Sequence, residues 1–158
     1  MVAPIETRIT RFLSAEGDTL ALGAELARGM VAGMVVYLSG DVGTGKTTVV
    51  RGLLRAWGFT GPVKSPTFSL VELYIFSRLN FYHFDFYRFR YSQEWADAGL
   101  RECFNADSTC LVEWPEKVGA QLPAPDVRIE LVVTGPGRIV TLIAESEAGK
   151  TCLAQLQD

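Results

Sequence analysis

The chain has 158 residues, of which 48% are apolar and 21% are charged, with 15 lysines and arginines against 18 aspartates and glutamates. This apolar content is enough to build a buried core, which excludes a disordered chain and a small scaffold that depends on disulfides. No apolar run approaches the roughly 18–20 residues of a membrane-spanning helix, and the first residues contain no secretory h-region. We therefore expect one domain over residues 1–158, in the cytoplasm and without membrane contact.

The first part of the chain contains four predicted elements: an edge strand over Thr7–Phe12, a helix over 15–31, a buried strand over Met34–Ser39 and a helix over Lys46–Trp57. Ser14 is the expected N-cap of the first helix and Gly33 its end, and Gly58 ends the second helix.

The remaining elements are a proline-containing loop (Val63–Thr67), a hairpin (Leu70–Phe76 and Asn80–Tyr87 across Ser77–Leu79), a short helix (Ser92–Ala98), a buried strand (Thr109–Glu113), a second hairpin (Val127–Val133 and Arg138–Glu145 across 135–137) and a final helix (Ser146–Leu156). Strands and helices alternate, which is typical of the α/β class, and the two hairpins require a mixed sheet.

Residue types that bind metals or form disulfides are scarce. The three cysteines, Cys103, Cys110 and Cys152, are far apart in sequence, and His83 is the only histidine. The pattern suits neither a zinc site nor a disulfide framework, so we predict three reduced thiols packed as small apolar side chains.

Charge is distributed unevenly along the chain. Residues 46–101 contain eight basic and four acidic side chains, a net charge of +4, although the whole chain carries −3. A basic segment inside an acidic chain indicates a local anion site rather than a general nucleic-acid-binding surface.

Residues 40–47 read Gly-Asp-Val-Gly-Thr-Gly-Lys-Thr and match the phosphate-binding P-loop, G-x-x-x-x-G-K-[ST]. Glycines permit positive φ angles, so backbone N–H groups can surround phosphate oxygens. The helix that follows directs its positive dipole end toward the same phosphates, Lys46 is expected to contact the β and γ phosphates, and Thr47 to bind Mg²⁺. The motif predicts ATP or ADP binding on a P-loop NTPase fold: three α/β/α layers with a mixed, mostly parallel sheet and antiparallel hairpins.

A P-loop also requires a carboxylate at the end of a neighbouring strand. Glu113 ends the apolar run of residues 110–112, and Asp85 shares a strand face with His83. Three simpler interpretations stay open: Glu113 as an ordinary strand-end carboxylate, Asp85 as a hydrogen-bond partner of His83, and His83 as a structural histidine.

Eleven of the seventeen aromatic residues lie between Phe68 and Trp95, among three arginines: Arg78, Arg88 and Arg90. This pattern is compatible with RNA contact, with a protein-binding surface and with an ordinary hairpin core.

Several ordered motifs resemble the TsaE (YjeE) family, small bacterial ATPases of tRNA threonylcarbamoyladenosine modification. The motifs are Leu-Ser-Gly-Asp-Val-Gly-Thr-Gly-Lys-Thr-Thr (38–48), Arg51-Gly52, Val-Lys-Ser-Pro-Thr-Phe-Ser-Leu-Val-Glu (63–72), Tyr-His-Phe-Asp-Phe-Tyr-Arg (82–88) and Leu-Val-Glu-Trp-Pro-Glu (111–116). A P-loop alone is common, whereas this combination is highly specific.

The resemblance implies roles for individual residues. It implies that Lys46, Asp85, Glu113 and Thr67 act in hydrolysis, and that Thr47, Glu113 and Asp85 bind Mg²⁺. The nucleotide-binding residues that it implies, beside those just named, are Ser14, Gly40, Asp41, Val42, Gly43, Thr44, Gly45, Thr48, Trp114, Gly137 and Arg138.

The resemblance also implies an activity: weak hydrolysis of ATP, stimulated by the TsaB and TsaD proteins. Arg88 is a candidate for a catalytic arginine supplied by the chain itself, and an arginine supplied by a partner is equally compatible with the sequence. Two other classes remain as alternatives: a small-molecule kinase, and a scaffold protein in which ATP only sets a conformation. Direct contact with tRNA stays open.

Overall fold

Seven strands and four α-helices follow one another along residues 7–156, the part of the chain that the computed structural model describes. The strands are β1 (Arg8–Leu13), β2 (Val35–Ser39), β3 (Val71–Ile75), β4 (Asn80–Asp85), β5 (Ser108–Glu113), β6 (Val127–Thr134) and β7 (Gly137–Ala144). The helices are α1 (Glu16–Gly29), α2 (Lys46–Ala56), α3 (Gln93–Ala98) and α4 (Glu147–Leu153), with short 3₁₀ turns at Arg101–Cys103, Pro115–Lys117, Gly119–Gln121 and Ala154–Leu156.

All seven strands form one sheet in the order β1-β7-β6-β2-β5-β4-β3. The central strands β6, β2, β5 and β4 are parallel, whereas β1–β7, β6–β7 and β3–β4 pair antiparallel. Five strands therefore run in the same direction, which confirms the prediction of a mixed, mostly parallel sheet with antiparallel hairpins.

Both faces of the sheet are covered. Along β2, Val36 and Leu38 pack into one apolar cluster with α1, α2 and α4, while Val35 and Tyr37 pack into a second cluster with α3 and the 3₁₀ turns. A strand that is buried on both faces has a continuous apolar sequence, as β2 and β5 do. The α/β/α layering agrees with the prediction.

Helices α1 and α2 cross with their backbones in close contact. A Cβ atom on Gly23 would lie 2.2 Å from the Val49 carbonyl oxygen, and one on Gly52 would lie 2.2 Å from the Leu20 carbonyl oxygen. The two glycines let the helix that begins at the P-loop approach α1 more closely than any other residue would allow.

Some element ends differ from the predictions. The N-cap of α1 is Ala15, not Ser14, because the Asp18 carboxylate accepts hydrogen bonds from the N–H groups of both residues and from the Ser14 hydroxyl. The helix ends at Gly29, two residues before the predicted end at residue 31, because Met30 adopts an extended conformation. The last predicted helix divides into α4 and a 3₁₀ turn. No helix within residues 7–156 has the length and apolar character needed to cross a bilayer.

Candidate active site

The P-loop forms the turn between β2 and α2. Gly43 and Gly45 have φ angles of 84° and 103°, and Gly45 is the N-cap of α2. A Cβ atom on Gly43 would meet nothing within 4 Å, so this side of the loop is open. The loop therefore has the shape that lets backbone N–H groups bind an anion at the start of a helix.

A cavity of about 600 Å³ opens above the P-loop. It is lined by all but two of the residues proposed to act on nucleotide or metal: Ser14, Val42, Gly43, Thr44, Gly45, Lys46, Thr47, Thr48, Thr67, Asp85, Glu113, Trp114, Gly137 and Arg138. Gly40 and Asp41 instead line a neighbouring cavity of about 300 Å³, to which Lys46 and Trp114 also contribute. The larger volume suits a small-molecule ligand.

Lys46 lies beside the end of β5. Its Nζ atom donates a hydrogen bond to the Gly40 carbonyl oxygen at 2.6 Å and is 3.3 Å from Glu113 Oε1, while Glu113 Oε2 is 2.6 Å from Nε2 of the fully buried His83. Burial alone would raise the pKa of Glu113, but the hydrogen bond and charge of His83, together with the Lys46 ammonium, outweigh it and lower this pKa. Glu113 is therefore held as a buried carboxylate that faces the P-loop lysine.

Asp85 ends β4 beside Glu113, since β4 and β5 run parallel and these two residues are register partners. Its Oδ2 atom accepts a hydrogen bond from the Thr67 hydroxyl at 3.0 Å, and its Oδ1 atom accepts one from the Tyr87 N–H at 2.9 Å. The Thr67 hydroxyl is also 2.8 Å from the Ser65 hydroxyl. The loop before β3 is thus connected by hydrogen bonds to Asp85, the second carboxylate of the site.

The interpretation of Asp85 as the hydrogen-bond partner of His83 is wrong, because His83 pairs with Glu113 on the adjacent strand. Alternation along a single strand places residues on a face, whereas the partner across strands depends on sheet order. Within residues 7–156, His83 Nδ1 has no hydrogen-bond partner.

Arg138, at the start of β7, reaches across to the P-loop. Its guanidinium donates to the carbonyl oxygens of Thr44 and Gly43, both at 3.0 Å, and to the Gly137 carbonyl oxygen. The β6–β7 hairpin therefore fixes the P-loop backbone from the side opposite β5.

Trp114 follows Glu113 in a left-handed conformation, with φ 59°. This places its ring 4.9 Å from Lys46 Nζ and 5.0 Å from the Tyr87 ring. Arg88 does not line the cavity, and its guanidinium lies 4.1 Å from the ring centroid of Phe68.

The aromatic segment is mostly core. Eight of the eleven rings are buried or half-buried, whereas Phe68, Tyr87 and Tyr91 are exposed. A plain hairpin core accounts for most of the pattern, and the exposed rings remain available for a partner.

The cavity also has lining residues that sequence reasoning missed, among them Leu13, Glu16, Thr19, Tyr87 and Pro136. Leu13, Glu16 and Pro136 lie within two residues of Ser14 or Gly137, and Tyr87 lies two positions after Asp85, so each is a close neighbour of a residue that the resemblance implied. Thr19 had no such signal.

The side chains present are compatible with a magnesium ion and a polyphosphate. Of the three acidic residues that line the cavity, Glu16 is exposed, whereas Asp85 and Glu113 are buried near the Thr47 hydroxyl of the P-loop. Mg²⁺ prefers oxygen ligands and takes one or two carboxylates together with substrate phosphates. Residues 7–156 contain no group of three or more His, Cys, Asp and Glu side chains that could hold a metal ion.

Comparison with known proteins gives consistent results. The model of the family described as threonylcarbamoyl adenosine biosynthesis protein TsaE matches residues 13–140. The TsaE protein of Haemophilus influenzae is 38% identical over 151 residues, covering 92% of this chain and 96% of that protein. The TsaE protein of Bacillus subtilis is 38% identical over 120 residues, covering 76% of this chain and 73% of that protein.

The fold agrees with these sequence matches. The crystal structure of YdiB from Bacillus subtilis superposes with a TM-score of 0.78 at 27% sequence identity, covering 98% of this chain and 97% of that one. The family model matches most of the chain, and the matched part contains the P-loop. The protein therefore belongs to the TsaE family, which takes part in threonylcarbamoyladenosine biosynthesis in tRNA.

Proposed function

We propose that this protein is a weak ATPase that hydrolyses Mg-ATP at the P-loop cavity and is stimulated by the TsaB–TsaD pair during formation of N6-threonylcarbamoyladenosine. The observation that carries the proposal is the convergence of Lys46 with two buried strand-end carboxylates, Asp85 and Glu113, in one cavity. A simple anion-binding turn needs the loop and the lysine but has no use for two buried carboxylates.

The P-loop side chains act on the substrate phosphates. The N–H groups around Gly43 and Gly45 bind phosphate oxygens, and Lys46 neutralises charge between the β and γ phosphates. Thr47 and Glu113 would hold Mg²⁺, and Asp85 would bind it directly or through a water. When bound, the ion supplies charge neutralisation on the phosphoryl oxygens.

In this proposal Asp85, which lines the cavity, orients the attacking water. A water oxygen attacks the γ-phosphorus in line, the bond from phosphorus to the β–γ bridging oxygen breaks, and ADP and phosphate leave. The hydrogen bonds from Thr67 and the Tyr87 N–H fix the Asp85 carboxylate, so these neighbours determine where the water is held.

The positions of the arginines support slow ATP hydrolysis in the absence of a partner. One arginine, Arg138, is found among the described residues that line the cavity. Its guanidinium already donates hydrogen bonds to P-loop carbonyl oxygens. Arg88 lies outside the cavity. A catalytic arginine contributes about 10³–10⁵ in rate, so an arginine supplied by the partner would account for stimulation.

The test is phosphate release from Mg-ATP by the purified protein, alone and with the TsaB–TsaD pair. We expect strong stimulation in the wild type, and loss of hydrolysis in Glu113→Gln and Asp85→Asn with ADP binding retained. Glu102→Gln is the matched control, because Glu102 is exposed and lines neither cavity.

Two results would contradict the proposal. A phosphorylated metabolite formed with ADP would favour a kinase. Partner-dependent tRNA modification that survives in Lys46→Ala and Asp85→Asn, after hydrolysis is lost, would favour a scaffold in which ATP only sets a conformation.

A further inference from the structure

An exposed aromatic–guanidinium pair lies just outside the cavity. Phe68 is 81% exposed, although it is a large apolar residue, and the Arg88 guanidinium lies 4.1 Å from its ring centroid. The loop that carries Phe68 turns back into β3 through Leu70, which has a φ angle of 71°. The loop thus holds an apolar ring in solvent, with the Arg88 guanidinium over one face of the ring.

Both members of this pair are adjacent in sequence to residues that bind Asp85. Phe68 follows Thr67, whose hydroxyl donates to Asp85 Oδ2, and Arg88 follows Tyr87, whose N–H donates to Asp85 Oδ1. The stacked pair therefore joins, on the outside of the molecule, the two segments that hold the carboxylate on the inside. A partner that binds Phe68 and Arg88 would therefore contact both segments that donate hydrogen bonds to Asp85.

The surroundings of the pair are basic. Over residues 64–72 and 85–91, the two segments that carry the pair, every exposed charged side chain is positive, and these side chains are Lys64, Arg88 and Arg90. The acidic residues of these segments, Glu72 and Asp85, are half-buried and buried.

Hydrogen bonds to α3 fix the backbone of the segment that follows Arg88. The Glu94 carboxylate accepts hydrogen bonds from the N–H groups of Arg90 and Tyr91, at 2.6 and 2.9 Å. These bonds hold the segment after Arg88 in a defined conformation, with Tyr91 exposed. Preorganised surfaces of this kind lose less conformational entropy on binding.

The chemistry of this surface favours a protein over a nucleic acid. Aromatic residues and arginine are enriched at protein interfaces, and one ring in a central position often dominates the affinity. A single-stranded nucleic acid needs successive open ring faces, but one face of Phe68 is occupied by Arg88, and the Tyr87 ring packs against Trp114.

We propose that Phe68, Arg88, Arg90 and Tyr91, here called the Phe68 surface, are the docking site for an acidic face of the protein partner that stimulates hydrolysis. This inference rests on the proposed function. The partner places an apolar pocket on Phe68 and carboxylates beside Arg88 and Arg90. Docking fixes the loop at Thr67 and the backbone at Tyr87, and through them the orientation of the Asp85 carboxylate.

The experiment measures ATP hydrolysis against the concentration of the TsaB–TsaD pair for Phe68→Ser and Arg88→Glu. The matched controls are Ile75→Ser, a 76% exposed apolar residue at the far end of β3, and Arg78→Glu, an exposed arginine that stacks on Trp57. We expect Phe68→Ser to keep wild-type hydrolysis without the pair and to need about tenfold more of the pair for half-maximal stimulation, the change that corresponds to one disrupted interface contact. Arg88→Glu should be stimulated even less, and both controls should behave as wild type.

A salt titration tests the charge of the partner face. Half-maximal stimulation of the wild type should need more of the pair as ionic strength rises, and Arg88→Glu should lose most of this dependence. A salt-independent wild type would refute the acidic face.

Three other outcomes separate the possible failures. Variants that are stimulated as well as the wild type overturn the docking site alone. Binding of a labelled single-stranded RNA to the protein without partners, lost in Phe68→Ser, would identify a nucleic-acid surface and overturn it too. A wild type that the pair does not stimulate overturns the proposed function, and the docking site with it.

Discussion

Replacement of Gly23 by alanine adds a methyl group at the point where α1 crosses α2. The new Cβ atom would lie 2.2 Å from the Val49 carbonyl oxygen and 2.7 Å from the Leu53 nitrogen. Carbon–oxygen contacts in proteins are normally about 3.3–3.6 Å, so the overlap is about 1 Å. Both atoms belong to the α2 backbone, so relief requires the helices to separate rather than a side chain to rotate.

The free energy of unfolding should fall by about 2 kcal/mol. Overpacking costs about 1–3 kcal/mol, and a clash with backbone atoms at 2.2 Å belongs at the upper end of this range, while the better helix propensity of alanine returns at most about 1 kcal/mol. For a domain of this size, the loss corresponds to a decrease of about 4–8 °C in Tm. Because α2 begins at the P-loop, the same variant should also bind ATP more weakly.

Thermal unfolding followed by circular dichroism checks this expectation. Gly17→Ala is the matched control, because Gly17 is in the same helix and a Cβ atom there would meet nothing within 4 Å. The control should be neutral or slightly more stable than the wild type. A Gly23→Ala protein with an unchanged or higher Tm would refute the argument that glycine is required by the contact between the two helix backbones.

Three further predictions concern single groups. Burial raises the pKa of the Cys110 thiol to about 12, so in the folded protein at pH 8 it should react with a thiol reagent much more slowly than the half-buried Cys103, and unfolding in urea should remove the difference. Ser146→Ala removes an N-cap hydrogen bond from α4 and should lower the free energy of unfolding by about 1 kcal/mol in urea titrations. The Ser14 hydroxyl and two backbone N–H groups lower the pKa of Asp18 below 3.8, so its contribution to stability is fully present above that pH and is lost as pH falls through the lower folded-state value. The urea midpoints of the wild type and Asp18→Asn should therefore differ at neutral pH and converge in acid, and a difference that grows in acid would contradict this sign.

Local signals were sufficient for most elements. Apolar β-branched runs located β2 and β5, and the glycine-rich turn located the start of α2, because these patterns depend only on neighbouring residues. The N-terminal end of α1 was misplaced because Ser14 is a good cap by type, but the Asp18 side chain binds that hydroxyl and leaves Ala15 at the cap. Competition between two local hydrogen-bonding schemes is not visible in residue type alone.

The candidate site shows the same division. The sequence placed Lys46 and Thr47 in a phosphate-binding loop, since the motif contains both the loop and its ligand-binding groups. It left two carboxylates as candidates, and strand alternation placed His83 and Asp85 on one face, which kept a hydrogen bond between them as an open interpretation. Because β4 pairs in parallel with β5, His83 forms a hydrogen bond with Glu113 instead, and Asp85 accepts one from Thr67.

By itself, the sequence determined the α/β class, the P-loop and the family, because each depends on residue types at short, fixed spacings. The tertiary structure alone decided how the side chains of the site contact one another. Arg138 reaches the P-loop, and Phe68 meets Arg88, only because the sheet order brings distant segments to the same edge. Such contacts depend on the register and order of strands, which long-range packing sets and no local pattern encodes.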